Sequence, residues 1–216
     1  MTNTTKWLIA LPFVVLLGLV VPWLISGRLL WFAGNWADTA YVISTVGMWL
    51  AATAFVDVGS MRRGKDRTRR LLSLALILAV PVAVADRTYG PALHLDEGWS
   101  LAGIVLSLLA IGLGVAAKGS LGRYYAPHAA PKRHHQLVRR GPYRWIRHPM
   151  YTAASMWGIG WPLMVRSILG AAWMMGFLLP FLILRIREEE LALLEVFGED
   201  YVHYRARTWR LIPFVY

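Results

Sequence analysis

Long apolar segments nearly free of charge constrain this chain before anything else does. A helix that crosses the hydrocarbon layer of a bilayer needs about 20 mostly apolar residues, and fewer where the layer is thinned. Five or six segments meet that requirement, at roughly 6–26, 39–58, 71–87, 99–117, 150–165 and 168–186. Polar connections separate the first four. Only Val165-Arg166-Ser167 divides the last two, which predicts a tight helical hairpin with Pro162 and Pro180 at kinks. Composition agrees. The chain is 57% hydrophobic and 16% charged, whereas a soluble domain is about one quarter charged. The expected fold is an all-α integral membrane protein of about five to six transmembrane helices, with a cytoplasmic loop and a C-terminal interfacial helix.

A net charge of +11 would suit nucleic acid if it were clustered on a soluble face, but here it follows the spans. "MRRGKDRTRR" after the second span holds six cations, the segment from Lys118 to Arg147 eight, and the end of the last span with its tail five, with Lys6 on the same side. The opposite side carries Arg28, Arg87 and Arg166 with Asp38, Asp86, Asp96 and Glu97. Positive loops stay cytoplasmic, so both termini and the basic loop are expected in the cytoplasm. Lys6 alone precedes the first apolar run and no small-residue cleavage site follows it, so this run reads as an anchor. The absence of cysteine excludes disulfides, thiolate catalysis and cysteine metal sites. Together these features fit a prokaryotic inner membrane.

Topogenic charge with anionic lipid as its partner accounts for 61–70. It does not account for "KGSLGRYYAPHAAPKRHHQLVRRGPYRWIRHP", Lys118 to Pro149, which also holds three glycines, four prolines and four histidines. Gly119 and Gly122 suit a helix end, and Gly141-Pro142 signals a turn. His135 and His148, with His128 and His134 near them, lack the spacing of a helical metal pair, and the arginines disfavour a bound cation, so no metal is expected. No phosphate-binding loop or dinucleotide fingerprint is present.

The last span runs on into "LRIREEELALLEVFGEDYVHYRARTWRLIPFVY", where Leu191, Leu194 and Phe197 keep helical spacing and Gly198 marks a stop. An interfacial helix explains most of this stretch. Glu188, Glu189 and Glu190 beside an anionic leaflet want cationic partners. Tyr201, Tyr204 and Trp209 suit an aromatic belt, and equally the wall of a site for a sulfonium or an adenine.

"HQLVRRGPYRWIRHPMY" followed by "EEELALLEVFGEDYVHYRARTWRLIP" resembles the isoprenylcysteine carboxyl methyltransferase family and the related membrane phospholipid N-methyltransferases. The resemblance is carried by His135, Leu137, Val138, Gly141, Pro142, Tyr143, Arg147, His148, Pro149 and Tyr151, then by Glu189, Glu190, Leu193, Phe197, Gly198, Tyr201 and Tyr204. It covers 118–216 and leaves 1–117 as a substrate-selecting helical part. Two departures stand out: "LGRYYAPH" where the family often has a Trp and a small hydroxyl residue after Leu-Gly-Arg, and Ala153 where it often has glycine.

The resemblance implies S-adenosylmethionine bound at the cytoplasmic face by His135, Leu137, Val138, Tyr143, Arg147, His148, Tyr151, Glu190, Tyr201 and Tyr204. It also implies Glu189, Glu190 or Arg205 orienting a small or lipophilic methyl acceptor (a carboxylate, amine or thiol) that arrives from membrane lipid. Methyl transfer is an in-line displacement, so positioning carries the catalysis. Two other readings compete with it. One is a membrane reductase using NADPH in a C-terminal pocket like that of sterol reductases. The other is a non-enzymatic membrane protein that keeps the fold and binds anionic lipid.

Overall fold

A computed structural model describes residues 95–122 and 137–214, together with 78, 79, 82, 83, 85 and 86. The elements are helices α1 (Glu97–Leu121), α2 (Pro149–Met164), α3 (Ile168–Phe197) and α4 (Glu199–Ala206), with a 3₁₀ turn at Gly141–Arg144 before α2. The expected spans at 6–26 and 39–58 and nearly all of 71–87 lie outside the described residues, as do His128, His134 and His135.

Two helices among the described residues are long and apolar enough to cross a membrane, Gly98–Leu121 and Ile168–Phe197. Only 33% and 22% of their most apolar windows are buried. A soluble core helix would bury most of that surface, so these helices carry the apolar exterior that a lipid-facing helix needs. Thirty residues at 1.5 Å make α3 about 45 Å long, more than the thickness of a hydrocarbon layer of about 30 Å. Helix α2 has 16 residues and is about 24 Å long. It begins at the His148-Pro149 turn, and its end is set by the hairpin at 165–167.

Glycines end the helices where the sequence suggested. Gly122 after α1 has φ +52 and Gly198 after α3 has φ +50, a region that costs a residue without Cβ little. The hairpin at 165–167 turns through Arg166 at φ +59.

The described residues fall into two compact units. In the first, which holds 158–178, the α2–α3 hairpin buries Trp161, Met164, Val165 and Met174 with Ala79 and Ala83. Helix α1 reaches α2 there through Gly103, where an added Cβ would meet backbone of Gly160 and Met164. Asp86 caps α3: its Oδ2 accepts from the Ser167 hydroxyl at 2.8 Å and from the Leu169 amide at 3.1 Å, while Ser167 Oγ accepts from the Gly170 amide at 2.9 Å. First-turn amides have no partner inside their own helix. Asp86→Ala is therefore expected to cost about 1–2 kcal/mol and to lower the thermal midpoint in detergent, while Asp86→Asn keeps most of it. In the second unit, α1 packs on α2 at Gly114 and Ala153, whose Cβ lies 3.8 Å from an added methyl. This unit buries Ala110, Ala117, Leu182, Ile186 and the polar cluster described next.

Candidate active site

Within the second unit, two segments about sixty residues apart in sequence lie side by side. Gly141, at φ +59, starts the 3₁₀ turn, with Pro142 in its first turn. A Cβ at 141 would overlap the Ser120 hydroxyl, and Arg140 Nε donates to the Ser120 carbonyl at 3.1 Å, so the end of α1 holds the turn. After the turn the chain extends and pairs with the tail in a parallel bridge, Ile146 to Trp209. The Trp209 amide donates to the Trp145 carbonyl at 3.0 Å. In return the Arg147 and His148 amides donate to the carbonyls of Trp209 at 2.7 Å and Arg210 at 3.1 Å. Pro149 then opens α2, where its missing N–H removes no helical bond. Side chains fasten the same seam: Tyr204 Oη donates to the Tyr143 carbonyl at 2.7 Å, and Thr152 Oγ1 to the Leu211 carbonyl at 2.8 Å.

The charged centre of the cluster is Glu190, 6% exposed. Arg147 Nε donates to its Oε1 at 2.9 Å, and Arg210 Nε to its Oε2 at 2.9 Å. Arg147 also donates from a terminal nitrogen to the carbonyls of Arg205, at 3.0 Å, and Thr208. One guanidinium thus joins the extended segment, α3 and the tail, and charge-assisted bonds of this kind are roughly twice as strong as neutral ones. A carboxylate taken from water is tolerable when its lone pairs are filled this way.

Beside this centre are polar atoms without such partners. His148 is buried, and its Nε2 stands 3.5 Å from Glu190 Oε1, beyond a well-formed hydrogen bond. The Tyr201 hydroxyl, on a residue 1% exposed, has no hydrogen-bond partner among the described residues. Buried polar atoms are nearly always satisfied, so both suit a bound polar molecule. Glu189, the neighbour of Glu190, accepts from Tyr151 Oη through Oε2 at 2.8 Å. The rings of His148 and Tyr151 lie 5.7 Å apart, those of Tyr201 and Tyr204 6.1 Å. Burial, reinforced by the Glu190 charge, raises the Tyr201 phenol above its ordinary range. Burial also pushes Tyr204 up to about 12 against the opposing pull of Arg147 and Arg139. Both phenols therefore stay protonated near neutral pH; Tyr204 gives its proton to the Tyr143 carbonyl, and the Tyr201 hydroxyl keeps a donor to offer.

Of the residues expected from sequence, the structure gathers Tyr143, Arg147, His148, Tyr151, Glu189, Glu190, Tyr201 and Tyr204 in this unit. Leu137 and Val138 are half-buried. Arg205 takes part through its carbonyl, and its side chain is exposed. Arg210 was missed: nothing in its spacing marks it as the second cation on a glutamate twenty residues earlier. Arg139 was also missed, donating to the Asp200 carbonyl at 3.0 Å and lying 5.9 Å from the Tyr204 ring centre. Among the described residues no group of three or more His, Asp or Glu is placed to hold a metal ion.

The model of the isoprenylcysteine carboxyl methyltransferase (ICMT) family matches residues 103–195. Protein-S-isoprenylcysteine O-methyltransferase B of Arabidopsis thaliana is 29% identical over 147 residues, 66% of this chain and 74% of that protein. The protein-S-isoprenylcysteine O-methyltransferase of Homo sapiens is 37% identical over 82 residues, 38% of this chain and 28% of the human one. The solved structure of the eukaryotic intramembrane Ras methyltransferase ICMT superposes with a TM-score of 0.70 at 23% identity, over 96% of this chain and 76% of that one. At that identity the likeness establishes the helical membrane fold. These relatives give the reductase reading no support.

Proposed function

We infer that this chain, which through residues 103–195 belongs to the isoprenylcysteine carboxyl methyltransferase family and is a methyltransferase, uses S-adenosylmethionine to esterify the carboxylate of a prenylated cysteine or a similar lipid-tailed thioether acid. One observation carries the reading: the extended arginine segment, the glutamate pair on α3 and the tyrosines of α4 meet in one buried polar cluster that includes two unsatisfied atoms. The relatives named above are O-methyltransferases of isoprenylcysteine, which favours an oxygen acceptor over nitrogen or sulfur.

The donor set fits S-adenosylmethionine. The molecule offers a carboxylate, an ammonium, a sulfonium and an adenine, and when bound it supplies an electrophilic methyl group. Glu189, with one oxygen taken by Tyr151, is the carboxylate suited to hold the ammonium. His148 Nε2 and the Tyr201 hydroxyl are the free polar atoms, and the Tyr201 and Tyr204 rings provide faces for a cation or an adenine. Leu137, Val138 and Tyr143 are assigned to the cofactor as well, and His135 belongs to the same motif. Glu190, its oxygens occupied by Arg147 and Arg210, is a positioning residue that fixes α3 against the segment carrying His148. Arg205, whose carbonyl lies on this seam and whose side chain is exposed, is assigned to attract the acceptor's carboxylate. Its carboxylate oxygen needs no general base, so the chain's task is to hold it in line with the methyl group and exclude water.

The chemistry distinguishes the acceptor atom. Protein in lipid nanodiscs, given methyl-labelled S-adenosylmethionine and an N-acylated S-prenylcysteine, should form a lipophilic product that releases labelled methanol in base. A base-stable product would overturn the ester reading, and no transfer to any lipid-tailed acid would overturn the acceptor class. Tyr151→Phe removes one hydrogen bond to Glu189. It is expected to raise the cofactor Kd about tenfold with little change in thermal midpoint, by calorimetric titration.

A further inference from the structure

We propose that the outer side of the 144–146/207–214 seam is a docking surface for the anionic headgroup layer of the bilayer, by which lipid charge orders the tail. Ile146 is buried at 7%, so its neighbour Trp145 turns outward and is 58% exposed. Across the bridge, Trp209 packs against Phe214 in a tilted pair with 4.6 Å between ring centres. Phe214 is itself 86% exposed and Ile212 53%. Single exposed apolar residues need no explanation, but three gathered around one bridge mark an interaction surface.

Charge selects the occupant. Residues 137–157 and 201–216 contain no Asp or Glu and seven arginines. Arg147 and Arg210 are spent on Glu190, Arg139 on Asp200 and Arg140 on the Ser120 carbonyl. Arg144, Arg205 and Arg207 are exposed, and their side chains make no hydrogen bond or ion pair among the described residues. Unpaired arginines interleaved with outward aromatic rings match a headgroup layer, where rings sit at the interface and basic groups are drawn to anionic lipid. A soluble acidic protein would account for the arginines but would not need Trp145, Ile212 and Phe214 beside them. The proposal rests on the membrane fold and not on methyl transfer, so a failed transferase assay leaves it standing.

The natural absence of cysteine makes the test direct. Ile212→Cys is spin-labelled, and its accessibility to a water-soluble relaxation agent is measured in nanodiscs of neutral lipid and of about one third anionic lipid. The expected result is a drop in accessibility on the order of threefold in anionic discs, reversed by high salt. That drop should be lost when Arg144→Ser and Arg207→Ser are added. Equal, high accessibility in both lipids overturns the proposal. So does protection that ignores salt and lipid charge, which would mean the tail packs on the chain itself. Protection that rises with the number of protein copies per disc overturns it in favour of a second copy. The salt response of the unmodified seam decides the matter even if the double arginine variant fails to fold.

Discussion

Glu190→Ala should abolish methyl transfer and lower the stability of the second unit by about 3–5 kcal/mol, the range for removing one partner of a buried pair. The size follows from what is left behind. Arg147 has a side chain only 9% exposed and would lose its carboxylate, while its remaining bonds go to the carbonyls of Arg205 and Thr208. Its charge would then be buried against dipoles alone. Arg210, at 26% exposed, can rehydrate and suffers less. Glu190→Gln keeps the shape and one acceptor oxygen, so its loss should fall between wild type and alanine. Arg147→Ala leaves Glu190 paired with Arg210 and should cost less stability than Glu190→Ala, yet remove the guanidinium's bonds to the Arg205 and Thr208 carbonyls. Thermal unfolding in detergent, read beside cofactor titration, separates the two effects. If Glu190→Ala melts with wild type and only activity is lost, Glu190 contacts the reactants and the positioning role assigned to it is wrong.

The elements were readable wherever one residue's own backbone chemistry decides the outcome. Gly122, Gly141 and Gly198 take positive φ where a turn or helix stop was expected. The link at 165–167 makes a hairpin because three residues allow nothing longer. The final span and the carboxylate helix are one continuous helix, Ile168–Phe197, with Pro180 inside it. Much of the polar cluster was readable because His148, Tyr151, Glu189 and Glu190 sit in two short motifs. Partner choice was not readable. That Glu190 would take Arg147 and Arg210, when Arg185 and Arg187 are nearer in sequence, depends on the tail crossing the extended segment. That crossing comes from backbone bonds at Trp145, Arg147, His148 and Trp209, which any residue type could form. Asp86 likewise looked like a stray charge on the less basic side, and its role as cap of α3 needs an approach between positions 81 and 83 residues apart.

Gly103→Ala should be the most damaging single methyl that can be added to the described helices. The new Cβ would overlap the Met164 amide nitrogen and lie 2.5 Å from the Gly160 carbonyl oxygen. Both are backbone atoms of α2, so neither can swing aside, and the two helices must separate along the whole contact. Overpacking usually costs about 1–3 kcal/mol and more when no side chain can yield, so a loss of about 3 kcal/mol is expected here. Two other glycines set the scale. A methyl at Gly158 meets only the ends of Leu178 and Met174, flexible side chains that can shift, so a smaller loss is expected. A methyl at Gly112 meets nothing within 4 Å, so Gly112→Ala should gain up to about 1 kcal/mol from helix propensity alone. The order of thermal midpoints, Gly112→Ala above wild type, Gly158→Ala below it and Gly103→Ala lowest, tests the helix contact without reference to activity. A Gly103→Ala midpoint equal to wild type would mean that α1 and α2 do not approach backbone to backbone in the first unit. Small residues would then be permissive in α1 instead of required, and close helix packing, which membrane helices achieve through such positions, would not be what holds that unit together.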